Sequence, residues 1–281
     1  GTGHVGVTAL CGMAFLSGGH LPGRGKYGKV VQKTVDAVLM SIRDDGIITL
    51  AGTQMYSHAF ATLFLAEVHG METRPRVRAR LRDVLARSVA LIVRAQNEEG
   101  GWRYEPRGAE YADLSVTVCQ VMALRAARNA GIGVPRETIE KCTGFVRRCQ
   151  NPDGGFRYMP ARRESLFPVT AAGLVALSSA GVYDGPEIER GLAFLSRFAA
   201  TAENSNRTPD HFLYGHYYAV QAAFQAGGET WSAWYPLIRD HLVGTQQPGG
   251  AWRDRTCDHY GTAMALLILQ APNNYLPIFQ R

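Results

Sequence analysis

The sequence lacks an apolar run of the roughly 20 residues that a bilayer-spanning helix needs; its longest, Val5 to Leu16 and Met264 to Leu269, fall short. Cysteine is scarce: Cys11, Cys119, Cys142, Cys149 and Cys257 are odd in number and form no Cys-x-x-Cys pair. That argues against a disulfide framework and reads as small buried hydrophobes in a reducing compartment. Period-two alternation of apolar and polar residues is almost absent, which leaves little room for strands. Phosphate loops and nucleophile elbows are missing, and the glycines of residues 1–6 follow no strand, so they form no dinucleotide fingerprint. Core-like sequence follows Gly1 without a basic leader region. The expected location is therefore cytoplasmic, with an exported domain whose leader has been removed as the alternative.

What is present describes an ordered globular chain of 281 residues, 46% hydrophobic and 19% charged. The net charge of +6 has one conspicuous source, the run Arg74, Arg76, Arg78, Arg80, Arg82 and Arg87. Such a run is either the solvated face of an outer helix or a surface that attracts anionic lipid or a diphosphate, with peripheral membrane contact as its consequence. Aromatic residues do not interleave with it, which counts against nucleic acid as a partner.

Internal repetition dominates. A motif of Gln, three residues, Gly, one residue and an aromatic occurs as Gln96-Gly100-Trp102, Gln150-Gly154-Phe156 and Gln246-Gly250-Trp252. A degenerate copy stands at Arg43-Asp44-Asp45-Gly46, and a fifth position near Arg197 to Asn206 has lost the pattern. Intact copies follow amphipathic stretches such as Arg80 to Ala95 and Glu137 to Cys149, so the motif marks a helix end whose glycine takes a positive φ. A second register places helices that are apolar nearly all round at Thr8, His58, Thr117, Thr170, His216 and Thr262, spaced 50, 59, 53, 46 and 46 residues apart. Six buried helices alternating with five amphipathic ones predict an all-α, α/α toroid (α6/α6) of helical hairpins, a single domain over 1–281 with repeats near 4–50, 54–106, 112–160, 165–206, 211–254 and 258–281. Pro135 and Pro186 suit first-turn positions of outer helices, and Thr201 to Asp210 is the best candidate for a mobile loop.

On its Gln-x3-Gly-x-Trp copies the chain resembles the squalene cyclase and protein prenyltransferase superfamily. The resemblance covers nearly the whole chain as architecture and implies a central apolar cavity that in the enzymes holds an isoprenoid. Two catalytic patterns of that superfamily are incomplete. The cyclase acid, Asp-x-Asp-Asp, is missing, and Asp44-Asp45 falls in a motif turn. The prenyltransferase zinc pattern is matched only as Asp113-Leu114-Ser115, with Ser in place of the thiolate, and as Tyr260-Gly261-Thr262, with Gly in place of the histidine. No cofactor is therefore expected, zinc being the lesser alternative.

Polar residues at the inner-helix starts are the candidate chemistry. His58 and His216 replace Thr at the same phase and can act as acid or base, bind a metal, or simply cap and pack. Asp113 and Asp258 lie four residues before a phased Thr and are either general acids in an apolar cavity or N-caps. Tyr56, Tyr214 and Tyr260 precede the phased residue by two; with Tyr217 and His259 they are expected to line a ligand pocket, core packing being the alternative. Two functions remain open: a toroid that binds an elongated isoprenoid, with cyclase-like or prenyltransferase-like catalysis unproven, or a non-catalytic toroid that binds a protein or glycan.

Overall fold

A computed structural model describes residues 4–50, 54–107, 109–198 and 211–280, and in it one turn is made four times. The backbone N–H groups of Arg43, Asn97, Asn151 and Gln247 donate to the carbonyls four residues on. Those of Gly46, Gly100, Gly154 and Gly250 donate back to residues 43, 97, 151 and 247. The four glycines have φ of 90°, 91°, 89° and 84°, a region that costs a residue with a Cβ about 1–2 kcal/mol. The degenerate copy at Arg43 to Gly46 thus folds like the intact ones. The motif glutamine ties the turn together: Gln96 Nε2 donates to Gly100 O at 2.8 Å and to Thr138 O of the next outer helix at 2.9 Å. Gln150 does the same with Gly154 and Glu187.

These turns link two rings of helices. The inner ring comprises α1 (Val5–Ser17), α3 (Gln54–Met71), α5 (Leu114–Asn129), α7 (Phe167–Ser179), α9 (Phe212–Ala226) and α11 (Asp258–Leu269). The outer ring comprises α2 (Gly28–Met40), α4 (Pro75–Ala95), α6 (Arg136–Arg148), α8 (Pro186–Leu195) and α10 (Gly228–Thr245). Each inner helix packs on the next, and α11 packs on α1, closing the ring. Composition decides which ring a helix joins. Every residue of α7 is buried, whereas α6 buries only Thr138, Cys142, Phe145 and Val146, the single stripe of an amphipathic helix. Among the described residues all the basic side chains at 76, 78, 80 and 82 of α4 are exposed.

The inner helices start three or four residues before the positions read from the sequence, so the phased Thr or His lies one turn inside. Of the five whose preceding residue is described, only α5 carries a side-chain cap, from Asp113, and the uncapped starts left no signature to read. Pro186 opens α8 as expected, while Pro135 stands one residue ahead of α6. The fifth position near Arg197 to Asn206, which has lost the pattern, and the loop reading for Thr201 to Asp210 fall largely or wholly on residues outside the described ones.

The C-terminal segment closes the end of the ring toward which the inner helices run. Glu67 Oε1 accepts from Ile278 N–H at 3.2 Å, and Arg125 donates to Ser178 O and Gln280 O. Burial pushes the Glu67 carboxyl up to about 8, against the Ile278 N–H and Arg125, which pull it down. A raised carboxyl means that the folded chain holds a proton the unfolded chain has released. Its contribution is therefore complete below pH 4.5 and lost as pH rises to about 8. Burial drives His58 and His216 the other way, to about 4 and about 3, so their contribution is complete above pH 6.5 and lost on acidification. Stability should peak near pH 6.5 and fall toward pH 8. In urea titrations across pH, Glu67→Gln should abolish the alkaline fall and leave the acid limb; an unchanged alkaline limb would show that Glu67 is not its source.

Candidate functional site

Opposite faces of each inner helix do different work. Two residues along a helix turn a side chain by about 200°, so residues two before the phased position point away from it. In all six repeats that residue lines one cavity: Gly6, Tyr56, Ser115, Pro168, Tyr214 and Tyr260. The cavity, about 780 Å³, sits at the N-terminal ends of the inner helices, within the size range of small-molecule sites. Its walls are mostly apolar, completed by Leu10, Phe60 and Leu166. Helix N-termini converge on it and favour negative charge at its mouth.

Four of the phased residues face the other way, onto a motif turn. Thr117 Oγ1 accepts from Trp102 N–H at 3.1 Å, Thr170 Oγ1 from Phe156 N–H at 2.8 Å, and Thr262 Oγ1 from Trp252 N–H at 3.1 Å. His58 performs the same task with Nδ1, which accepts from Ile48 N–H at 3.1 Å while Nε2 meets the Ser88 carbonyl at 3.1 Å. Those two bonds define a neutral imidazole protonated at Nε2. His216 is buried among Phe167, Phe212 and Trp234, with ring centroids at 5.0, 4.3 and 5.7 Å. The structure thus separates both histidines from the cavity and from each other.

Asp113 is the N-cap of α5. Its Oδ1 caps α5, accepting from Val116 N–H at 2.9 Å, and also accepts from Ser115 Oγ at 2.6 Å. The side chain is wholly buried, and its Oδ2 has no hydrogen-bond partner among the described residues, Arg103 Nη1 lying 4.0 Å away. Burial raises the Asp113 pKa, opposed by the Ser115 and Val116 bonds, by Arg103 and by the Tyr158 hydroxyl. Ser115 carries the connection to the cavity, because Tyr56 OH donates to Ser115 Oγ at 2.6 Å.

Tyr56, Tyr214 and Tyr260 line the cavity, and burial raises the pKa of all three phenols. Tyr217, expected among them, is instead wholly buried, packed on Tyr218, and does not line the cavity. Asp258 lies in the first turn of α11 next to the capping residue Cys257, and with His259 it borders a separate cavity of about 460 Å³ between α1 and α11. Among the described residues no three His, Cys, Asp or Glu side chains converge as metal ligands would.

Sequence reasoning missed Tyr104 and Tyr158, whose hydroxyls make a short contact at the cavity wall. The signal was there: Gly101-Trp102-Arg103-Tyr104 and Gly155-Phe156-Arg157-Tyr158 repeat one pattern. The backbone fixes both identically, since Tyr104 O accepts from Met55 N–H and Tyr158 O from Leu114 N–H, each at the start of an inner helix.

This double ring with a cavity at the inner-helix N-termini is the α/α-toroid fold also seen in type II terpene cyclases and a protein prenyltransferase. Over 96% of its length it superposes on 88% of the type II terpene cyclase MstE from Scytonema, with a TM-score of 0.63 at 16% identity. A variant of that cyclase in complex with geranylgeranyl dihydroxybenzoate gives a TM-score of 0.65 at 14% identity, covering 97% of this chain and 87% of that one. Protein geranylgeranyltransferase-I of Candida albicans gives 0.62 at 14% identity, covering 96% and 87%. In sequence, the chain is 30% identical over 168 residues to a drimenyl diphosphate synthase of Streptomyces showdoensis, which is 56% of this chain and 30% of that protein. It is 29% identical over 187 residues to another from Streptantibioticus cattleyicolor, 65% and 32% of the two chains. The chain therefore spans about a third of the length of the curated relatives it matches. No family model matches it.

Proposed function

We propose that the toroid binds an isoprenoid in the cavity at the inner-helix N-termini and cyclises it by protonating an alkene. One observation carries this reading: a wholly buried carboxyl, Asp113, stands behind the wall of a mostly apolar cavity and connects to it through a hydroxyl. Burial raises the Asp113 pKa and so favours the protonated form, and loss of the proton leaves a carboxylate held by the Ser115 hydroxyl, the Val116 N–H and the nearby Arg103 guanidinium. The phenol faces of Tyr56, Tyr214 and Tyr260 supply the electron-rich surface that a carbocation prefers. Likeness in fold to a cyclase solved with an isoprenoid-bearing ligand, and partial likeness in sequence to drimenyl diphosphate synthases, support the same reading.

Native mass spectrometry of the purified protein with geranylgeranyl dihydroxybenzoate, farnesyl diphosphate and squalene tests the binding step. A saturable one-to-one adduct with at least one of them is the expected result, weakened when Phe60 at the cavity wall is changed to Asp. Absence of any saturable adduct would remove the isoprenoid reading.

The same proposal gives the arginine run a role. Residues 24–95 carry twelve Lys and Arg against six Asp and Glu, so the net charge of the entire chain, +6, resides on that segment. An anionic bilayer, the natural reservoir of an apolar substrate, would hold this face. Co-sedimentation with phosphatidylserine vesicles should be lost on raising salt or on changing Arg76, Arg78, Arg80 and Arg82 together to Gln; sedimentation indifferent to both would exclude this contact.

A further inference from the structure

The acid just proposed does not itself reach the cavity. Asp113 is wholly buried and does not belong to the cavity wall, whereas Ser115 does, with its hydroxyl 2.6 Å from Asp113 Oδ1 and 2.6 Å from the Tyr56 hydroxyl. We propose that Ser115 is a proton relay that carries the proton of Asp113 to the alkene. The inference rests on the cyclase reading and adds the residue through which it works.

Hydroxyl valence makes the case. A serine oxygen accepts two hydrogen bonds and donates one. With Asp113 ionised, Ser115 accepts from Tyr56 and donates to Oδ1, the arrangement observed. With Asp113 protonated on Oδ1, that bond reverses. Ser115 then accepts from both Asp113 and Tyr56, which frees its own hydrogen for the cavity side, where the Tyr158 hydroxyl is the competing acceptor. Both accepted bonds polarise the Ser115 O–H, so protonating the acid is what aims the proton at the substrate.

The step balances. The Ser115 O–H bond breaks as its hydrogen takes up the alkene π pair and forms a C–H bond, and the Asp113 O–H bond breaks as its hydrogen moves to Ser115 Oγ. Serine ends neutral, the carboxyl becomes a carboxylate, and the alkene becomes a carbocation. After ring closure the cation loses a proton to water, and the carboxylate recovers one from solvent. Arg103, 4.0 Å from Oδ2, compensates the carboxylate while it lasts.

The repeat register strengthens the assignment. At the equivalent position the other five repeats present Gly6, Tyr56, Pro168, Tyr214 and Tyr260. Of the six, Ser115 alone stands within hydrogen-bonding distance of a carboxyl, because it is two residues along from the Asp113 cap on the same first turn.

The test compares Ser115→Ala, Ser115→Thr and Ser115→Asp, assayed for isomerisation of geranylgeranyl dihydroxybenzoate and farnesyl diphosphate. Ser115→Ala should lower kcat by about 100-fold, the lower range of general-acid effects, with KM unchanged, and Ser115→Thr should restore most of it. Ser115→Asp puts a carboxyl directly in the cavity wall, so its turnover should survive the added change Asp113→Asn. In H2O–D2O mixtures the wild-type rate should follow a curve, two protons moving together, and that of Ser115→Asp a straight line. Wild-type turnover retained in Ser115→Ala would overturn the relay and leave the cyclase reading standing; a wild-type protein that turns over neither substrate would overturn that reading. In that event infrared spectroscopy still decides the hydrogen bond. The protonated Asp113 carbonyl stretch, identified by its loss in Asp113→Asn, should rise in Ser115→Ala, and an unmoved band would show that Asp113 does not donate to Ser115.

Discussion

Asp113→Asn should abolish cyclisation, with turnover falling by about 10³-fold, inside the range that loss of a general acid produces, while the fold survives. The fold should survive because asparagine keeps the capping oxygen: Oδ1 can still accept from Val116 N–H and hold the first turn of α5. The amide cannot deliver a carboxylic proton, so the chemistry goes and the cap stays. Isoprenoid affinity should stay within a few-fold, since Asp113 is behind the wall and the cavity surface is unchanged. The pH profile supplies the sign. The reactive form is protonated, and burial raises the Asp113 pKa, so kcat should fall as pH increases. A profile that rises toward alkaline pH would assign the rate to a base instead.

The largest stability effect should come from Trp102→Ala. The indole is wholly buried, its Nε1 donates to Ile92 O at 2.7 Å, and its backbone N–H is held by Thr117. Truncating a side chain of this kind costs about 3–5 kcal/mol through the cavity and lost contacts, with the Ile92 carbonyl left without its indole donor. Trp252→Ala should cost less although Trp252 Nε1 makes the equivalent bond to Leu242 O at 2.8 Å. Among the described residues no outer helix stacks on the last turn: Gln246 reaches Gly250 O, whereas Gln96 and Gln150 also clasp the following helix. Equal losses for the two tryptophans in urea titrations would mean that the stacked outer helix adds nothing to the turn.

That difference between repeats shows what was legible in the sequence. Glycine spacing and the phased Thr and His revealed two rings, because a turn at positive φ and an all-apolar helix each leave a compositional mark. Even the copy at Arg43 to Gly46, without Gln or Trp, could be placed, since Gly46 alone carries the turn. The site was half legible. Tyr56, Tyr214 and Tyr260 came from the register, yet Ser115 shares it and stood out only as a missing thiolate. Its role depends on the 2.6 Å bond to Asp113, which spacing by itself does not establish. His58 drew attention as a polar residue at a helix start, but its imidazole replaces a threonine hydroxyl as the acceptor for a neighbouring turn. Asp258 and His259 share the phase of Asp113 and Leu114, but without a cap bond they open onto the other cavity.

The most direct measurement is the reaction in D2O. Protonation of an alkene followed by loss of a proton from another carbon leaves the formula unchanged in H2O but installs solvent hydrogen at the carbon first attacked. Incubated with geranylgeranyl dihydroxybenzoate or farnesyl diphosphate in D2O, the wild-type protein should yield an isomer that carries one deuterium at that carbon, and Asp113→Asn should yield none. Recovery of both compounds unchanged, or of a product without deuterium, would contradict protonation as the reaction of this toroid.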